Sequence, residues 1–384
     1  MTGSETGIGG ALTLVFLPDW PDVRAGRRFD GDARLPVTEP TSLSTGKRRD
    51  MSRQDSDASV GGPNGEQLVE PGDAFQVLGN DVRTGILETL LERTDGDATS
   101  RATFSELFAA SDVETSAGFA YHLDQLVGPY VRKDERDENG SDGGYELTYA
   151  GVRAARDIAT GAYTRRVDHP PVDLDDACPF CEREALEARS TDNVVTVACA
   201  GCDRTLLDLG LPPAGLEAHG DAFPDALDRY HRDRLARMRD GICPDCAGSV
   251  SARLVTPSAD VADELPAELT DHVQAELSCD GCGTTVRCPV ALTLLEQPAV
   301  VSFYHDHGRD VRERPIWNVG PEWAETVLSE EPLALRVVVE LEGDVLALYV
   351  TDELTVVDVQ RSDGMDLQVD HTESPGSASA SGGA

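Results

Sequence analysis

The sequence predicts an α+β chain with three ordered parts: an N-terminal helical domain closed by a β-hairpin, a pair of cysteine-anchored ribbons, and a small antiparallel β region. Three observations carry this expectation. Residues 71–165 place apolar side chains at helical spacing behind good capping residues. Eight of the nine cysteines fall into four Cys-x-x-Cys pairs. Leu335, Val337, Val339 and Leu341 alternate with the period of a half-buried strand.

Composition narrows the class. The 384 residues carry 33 basic and 70 acidic side chains, a net charge of −37, and only two of the bases are lysines, Lys47 and Lys133. A carboxylate-rich, lysine-poor surface retains water and counterions, which fits a halophilic cytoplasm of very high salt. The 40% hydrophobic content is enough to build cores, so a wholly disordered chain is not expected. No apolar run approaches the roughly 18 residues of a membrane span, and "ALTLVFL" at 11–17 lacks a preceding basic segment. A cytoplasmic, reducing compartment is therefore expected, in which paired cysteines bind metal and do not form disulfides. Residues 1–70 and 362–384 are rich in Gly, Ser, Pro and Asp and read as a disordered extension and tail, with Met51 an alternative start.

The elements of 71–165 follow in order. Phe75 and Leu78 share a helical face; Asn80 caps a second helix striped by Val82, Ile86, Leu87 and Leu90. Thr103 with Glu106 three residues on forms a capping box for a short helix. Thr115 caps a further helix in which Phe119, Leu123 and Leu126 recur at i, i+4 and i+7. "PYVRKDE" and "GGYELT" flank the polar "RDENGSD" as a hairpin, and a last helix runs from about Tyr149 to Gly161. Short helix, tight turn and capped helix make a helix-turn-helix, and the hairpin makes it winged.

With these segments in place, "LGNDVRTGILETLLE" and "TSAGFAYHLDQLVGPYVRKDE" resemble the two halves of an ArsR-type winged helix-turn-helix transcriptional regulator, over about 90 residues from 72 to 161. The resemblance implies that the capped helix enters the major groove of double-stranded DNA. Ser116, Gly118, Ala120, Tyr121 and His122 would then face or flank the bases, and Arg132, Lys133 and Arg136 of the wing would meet phosphates. It also implies a homodimer, since two half-sites about one helical turn apart multiply specificity. Two features depart from the family pattern. The helix "FSELFAASD" has no cysteine, so metal sensing there is not implied, and the reading helix carries Asp124 and no Arg or Lys. Residues 71–165 hold 17 acids against 9 bases. In molar salt the phosphate term is small for any protein, so this charge counts less than it would in dilute buffer. Neither a target sequence nor an effector is legible.

Cys178, Cys181, Cys199 and Cys202 form C-x2-C-x17-C-x2-C, within the spacing of four-cysteine zinc sites. "EALEARS" and "NVVTVAC" read as strands, which makes a zinc ribbon with a knuckle at each end. Cys243, Cys246, Cys279 and Cys282 repeat the chemistry across a 32-residue gap whose "PSADVADELPAELTD" can loop out. Crossed pairing of knuckles between the two quartets remains open at this stage. Four thiolates saturate a tetrahedral ion, so two structural zinc ions per chain are expected, without a catalytic position. Cys288 reads as a spare ligand or a small buried residue.

Between the quartets, "FPDALDRYHRDRLARMRDG" aligns Phe223, Leu227, Leu235, Met238 and Ile242 on one helical face. Its arginines read as a nucleic-acid contact or as a salt-bridged surface, the latter through Asp225–Arg229, Asp228–Arg232 and Asp233–Arg237. His305 and His307 would converge if they lay on a strand, but no nucleophile or third ligand accompanies them, and no catalytic residues are assigned. This region with the ribbons resembles the C-terminal module of haloarchaeal winged-helix proteins. The expected architecture is thus α+β, with an N-terminal winged helix-turn-helix domain (71–165), a tandem zinc-ribbon module (166–297) and a small antiparallel β region (298–361). The expected function is a DNA-binding regulator, not an enzyme. The alternative is a protein-interaction adaptor with a degenerate winged helix and ribbons as docking surfaces.

Overall fold

A computed structural model describes residues 70–93, 101–134, 143–256, 273–319 and 322–362. The expectations for 1–69, for the loop 257–272, for the hairpin tip at 135–142 and for the tail beyond 362 lie outside the described residues. The rest divides into two compact units that meet at Arg165 and Arg166.

The first unit runs α1 (Pro71–Leu78), α2 (Asp81–Glu92), α3 (Phe104–Ala109), α4 (Ser116–Leu126), β1 (Val131–Lys133), β2 (Tyr145–Leu147) and α5 (Tyr149–Ala159). The caps sit where local chemistry demands them. Asn80 accepts from the Arg83 N–H at 3.2 Å, and Thr115 accepts from the Gly118 N–H at 3.2 Å. Thr103 and Glu106 form the complete capping box. Leu87, Leu90, Leu107, Phe119, Leu123 and Leu126 are buried in one cluster with Val131 and Ala155. Phe104 meets Phe119 edge-on, with centroids 5.3 Å apart. β1 and β2 pair antiparallel, Val131 opposite Leu147 and Lys133 opposite Tyr145.

The second unit contains three antiparallel sheets. The first orders β3 (His169–Leu174), β4 (Leu186–Thr191), β5 (Val194–Cys199) and β6 (Thr205–Gly210) as a meander. Two helices follow, α6 (Pro213–His219) and α7 (Phe223–Arg239). The second sheet holds β7 (Val250–Val255), β8 (Gln274–Cys279) and β9 (Thr285–Pro289). After α8 (Val290–Leu294) and α9 (Pro298–Asp306) comes the third sheet: β10 (Trp323–Glu330), β11 (Leu333–Leu341), β12 (Asp344–Thr351) and β13 (Val356–Ser362).

No break in packing follows residue 297. One buried cluster runs from Cys178 through Leu227, Ala275, Val290 and Trp317 to Leu354. Polar contacts between distant segments stitch it together. Asp228 accepts the Ile316 N–H at 2.7 Å, the Asn318 amide donates to the Ala177 carbonyl at 3.2 Å, and the Leu254 N–H donates to the Asp352 carbonyl at 2.7 Å. Among the described residues no helix is long and apolar enough to cross a membrane.

Three details differ from the sequence expectation. His305 and His307 lie at the end of α9 and its C-cap, not on a strand. The His307 ring is engaged by the Phe303 carbonyl (2.8 Å) and by Asp344 (3.2 Å), while His305 is exposed, so the two do not converge. Ile242, expected on the buried face of α7, follows the helix and is 53% exposed. Of the three expected α7 ion pairs, Asp233–Arg237 is a surface pair at 3.0 Å and Asp228–Arg232 is buried.

Glu325 of β10 is half-buried and accepts the Ala291 N–H at 3.2 Å. Burial pushes its carboxyl up to about 7 from an ordinary value of 4.5. The folded state therefore holds this proton more tightly than the unfolded chain does. The associated stability is fully present below about 4.5 and is lost as pH rises through about 7. Glu325→Gln keeps an acceptor for Ala291 and removes the charge. It is expected to stabilise this unit by roughly 1–3 kcal/mol at about pH 8 and by little at about pH 5, read from melts of both proteins at both pH values.

Candidate functional site

The eight paired cysteines assemble into two separate quartets, Cys178–Cys181–Cys199–Cys202 and Cys243–Cys246–Cys279–Cys282. Within each, all four sulfurs lie within 4.8 Å of one another, which resolves the crossed alternative in favour of sequential quartets. Sγ–Sγ separations are 3.9 Å (Cys178–Cys202), 3.6 Å (Cys181–Cys199), 3.6 Å (Cys243–Cys282) and 3.5 Å (Cys246–Cys279). Four thiolates around a tetrahedral ion with bonds of about 2.3 Å sit about 3.8 Å apart. The clusters thus have the dimensions of metal sites.

The knuckle geometry recurs four times. In each pair the residue after the second cysteine takes a left-handed backbone: Glu182 (φ 57°), Asp203 (φ 58°), Ala247 (φ 58°) and Gly283 (φ 78°). Its N–H returns to the carbonyl of the first cysteine at 2.9–3.1 Å. The N–H two residues after the first cysteine points at its sulfur in the first three cases below, and that after Cys246 at its own. The pairs are Phe180 to Cys178 (3.5 Å), Gly201 to Cys199 (3.3 Å), Gly281 to Cys279 (3.4 Å) and Gly248 to Cys246 (3.3 Å). A Cβ on Gly248 would stand 3.1 Å from the Cys246 sulfur, so glycine lets the backbone come this close. Three of the four positions accept αL strain in non-glycine residues, a cost that a bound ion offsets.

The thiols alone do not favour a uniform charge state. Burial pushes Cys202 up to about 12, whereas the Arg183 N–H holds Cys181 down at about 7. Hydrogen bonding from Thr284 holds Cys282 at about 6. A dication within the quartet is what allows all four sulfurs to ionise together near neutrality. Cys288 is fully buried in β9 and stands outside both quartets; burial raises its thiol as well. The second quartet also has outer support that spacing did not reveal. Asp245 inside the knuckle binds Arg234 of α7 (2.7 and 3.0 Å) and accepts from Thr284 at 2.9 Å.

In the first unit, α4 turns Ser116, Ala117, Tyr121, Asp124 and Gln125 to solvent, with Tyr121 60% exposed. Ala120 and His122 are half-buried, and the His122 Nδ1 is enclosed without a hydrogen-bond partner. Gly118 serves the cap: a Cβ there would lie 3.0 Å from the Thr115 hydroxyl. Arg132 is paired with the buried carboxylate of Glu146, and Arg101 reaches the same carboxylate at 3.6 Å and Asp134 at 2.6 Å. Lys133 is exposed, 5.8 Å above the Tyr145 ring. Arg136 lies outside the described residues. Ala117 and Gln125 are outward-facing positions that the sequence reading passed over; helical phase from Tyr121 places both beside it.

The fold and sites thus define an α+β chain with several small antiparallel sheets and two four-cysteine clusters able to hold metal ions. Residues 175–356 match the family described as "Domain of unknown function (DUF7351)", and residues 71–158 match the family described as "Domain of unknown function (DUF7347)". No curated protein and no solved structure matches the chain.

Proposed function

We propose that this chain is a DNA-binding transcriptional regulator of the ArsR-like winged helix-turn-helix kind, active as a homodimer, with one structural zinc ion in each cysteine quartet. The observation that carries the reading is the disposition of α3, α4 and the β1–β2 hairpin. A short capped helix leads by a tight turn into α4, whose Thr115 cap and buried Phe119–Leu123–Leu126 stripe leave Ser116, Tyr121 and Gln125 on an open face. A hydroxyl and an amide at such positions match the donor and acceptor pattern of base edges. Four sulfur ligands at tetrahedral spacing support zinc as the ion, and they would leave no site for substrate.

A second reading, a protein-interaction adaptor, draws on the charge arrangement. Arg132 and Arg101 are already occupied by Glu146 and Asp134, and α4 presents Asp124 to solvent. The deciding experiment expresses the tagged chain in a halophilic host, crosslinks it, and sequences the DNA recovered with it. A parallel strain carries Tyr121→Ala with His122→Ala. Sharp peaks sharing an inverted-repeat motif, lost in the double variant, are the expected result. A flat profile from folded protein with two metals bound would rule out the regulator and favour the adaptor.

A further inference from the structure

Building on the metal reading of both quartets, and not on DNA binding, we propose that the second quartet is a peroxide-sensitive switch. Cys246 and Cys279 form a disulfide there and free the second ion, while the first quartet keeps its own. The two quartets share one knuckle geometry but differ in cover. Cys181 and Cys202 are half-buried, whereas their counterparts Cys246 and Cys282 are exposed.

Three matched positions account for the difference. Two residues after Cys178, Cys181 and Cys202 stand Phe180, Arg183 and Arg204; two residues after Cys243, Cys246 and Cys282 stand Asp245, Gly248 and Thr284. In the first quartet long side chains span from one knuckle to the other. The Arg204 guanidinium lies 4.5 Å over the Phe180 ring, which itself packs on the core, and Arg183 donates to the Gly201 carbonyl at 2.6 Å. In the second quartet Thr284 and Asp245 also join the knuckles, at 2.9 Å, but these short side chains leave Cys246 and Cys282 exposed. Glycine alone flanks the Cys246–Cys279 pair. A Cβ on Gly248 would stand 3.1 and 3.3 Å from the two sulfurs, and one on Gly281 3.7 and 3.8 Å.

A ligating sulfur is a thiolate, the nucleophilic form, and its oxidation follows its access to solvent. Hydrogen peroxide is small and uncharged, so the exposed carboxylates of Asp245 and Asp280 do not exclude it. The Cys246 thiolate attacks one peroxide oxygen, the O–O bond breaks, and hydroxide leaves behind a sulfenic acid. The Cys279 sulfur, 3.5 Å away, then attacks the Cys246 sulfur and displaces a second hydroxide. Two thiolates give up two electrons to one peroxide, and the products are one disulfide and two hydroxides. Cys243 and Cys282 remain, two ligands where a closed zinc site takes four.

The test uses the full chain, purified without oxygen in concentrated potassium chloride and treated with hydrogen peroxide. Metal release is followed with a chromophoric chelator, and cysteines are alkylated and mapped by mass. The expected result is one ion released about tenfold or more faster than the other, together with a Cys246–Cys279 disulfide. A phosphine reductant with one equivalent of zinc is expected to restore two ions per chain. Phe180→Ser with Arg204→Thr uncovers the first quartet and is expected to bring its release to within about threefold of the second. Should that variant fail to hold two ions, the order of release in the unaltered chain decides alone. Two ions leaving at one rate, or a first disulfide among Cys178, Cys181, Cys199 and Cys202, would overturn the switch and leave the metal reading standing. A chain isolated without metal would overturn both.

Discussion

If each quartet holds one ion, as proposed, Cys199→Ser is expected to lower the bound metal from two ions per chain to one and to unfold much of the 166–362 unit. Cys199 is 1% exposed, and its sulfur lies 3.6 Å from that of Cys181. Serine offers a hard, protonated oxygen in place of a soft thiolate, so the remaining three sulfurs hold the ion poorly. A four-thiolate site contributes on the order of 10–16 kcal/mol of binding free energy. Whole domains have only about 5–15 kcal/mol to spare. Losing half of the metal contribution, about 5–8 kcal/mol, would therefore remove much or all of this unit's stability. The damage spreads because the first quartet has no core of its own. Leu186, Val195 and Val197 beside it belong to the same cluster as Val290, Trp317 and Leu335.

The readouts are metal per chain by elemental analysis and emission from Trp317 and Trp323, both buried in this unit. Cys288→Ser separates metal loss from core damage. Cys288 is 0% exposed but outside both quartets, so that variant is expected to melt earlier and keep two ions. Two ions and native emission in Cys199→Ser would refute the metal assignment for the first quartet.

Gly151→Ala is expected to destabilise the first unit by roughly 2–4 kcal/mol. Helix propensity alone points the other way, since alanine is favoured over glycine in a helix interior by about 1 kcal/mol. Packing decides the sign. A Cβ on Gly151 would stand 2.0 Å from the Tyr130 carbonyl oxygen and 2.9 Å from its carbon. That obstacle is backbone, and it is tied down. The Tyr130 carbonyl accepts the Thr148 N–H at 3.0 Å, and the Tyr130 hydroxyl donates to the Ala74 carbonyl at 3.0 Å. α5 could escape the clash only by lifting from α2, exposing Ala155 and Leu87. Hydrogen exchange across 81–93 and 116–126 measures the loss of protection, while tryptophan emission follows the other unit separately. Unchanged protection would show that α5 sits further from Tyr130 than this packing places it.

These two positions also show what was readable in advance. Cys199 announced itself, because a knuckle is a local object: two sulfurs two residues apart and a turn that aims N–H groups at them. The caps at Asn80, Thr103 and Thr115 were legible for the same reason, as each bonds a group three residues away. Gly151 looked like an ordinary helical residue, since its constraint comes from a carbonyl 21 positions earlier.

The same divide runs through the α7 ion pairs. Asp228–Arg232 and Asp233–Arg237 are identical in spacing, yet the first is buried and the second is on the surface. Likewise Arg132 read as a free wing cation, and Glu146 across the hairpin has already claimed it. α9 was missed because "PAVVSFYHD" is rich in β-branched and aromatic residues, and the burial of Val300, Phe303 and Tyr304 overrode that preference. β10 escaped notice because an edge strand need not alternate, and its exposed Val327 and Leu328 do not.

By itself, then, the sequence determined the α+β class, the capped helices of 71–165 and the eight sulfur ligands, all of which rest on interactions within a few residues. The tertiary structure alone decided which knuckles come together in one quartet, that a single core joins the cysteine hairpins to the C-terminal sheet, and which arginines are paired in the interior and which at the surface. Those outcomes depend on burial and on partners distant in the chain, and a desolvated charge acquires its meaning only from the groups packed around it.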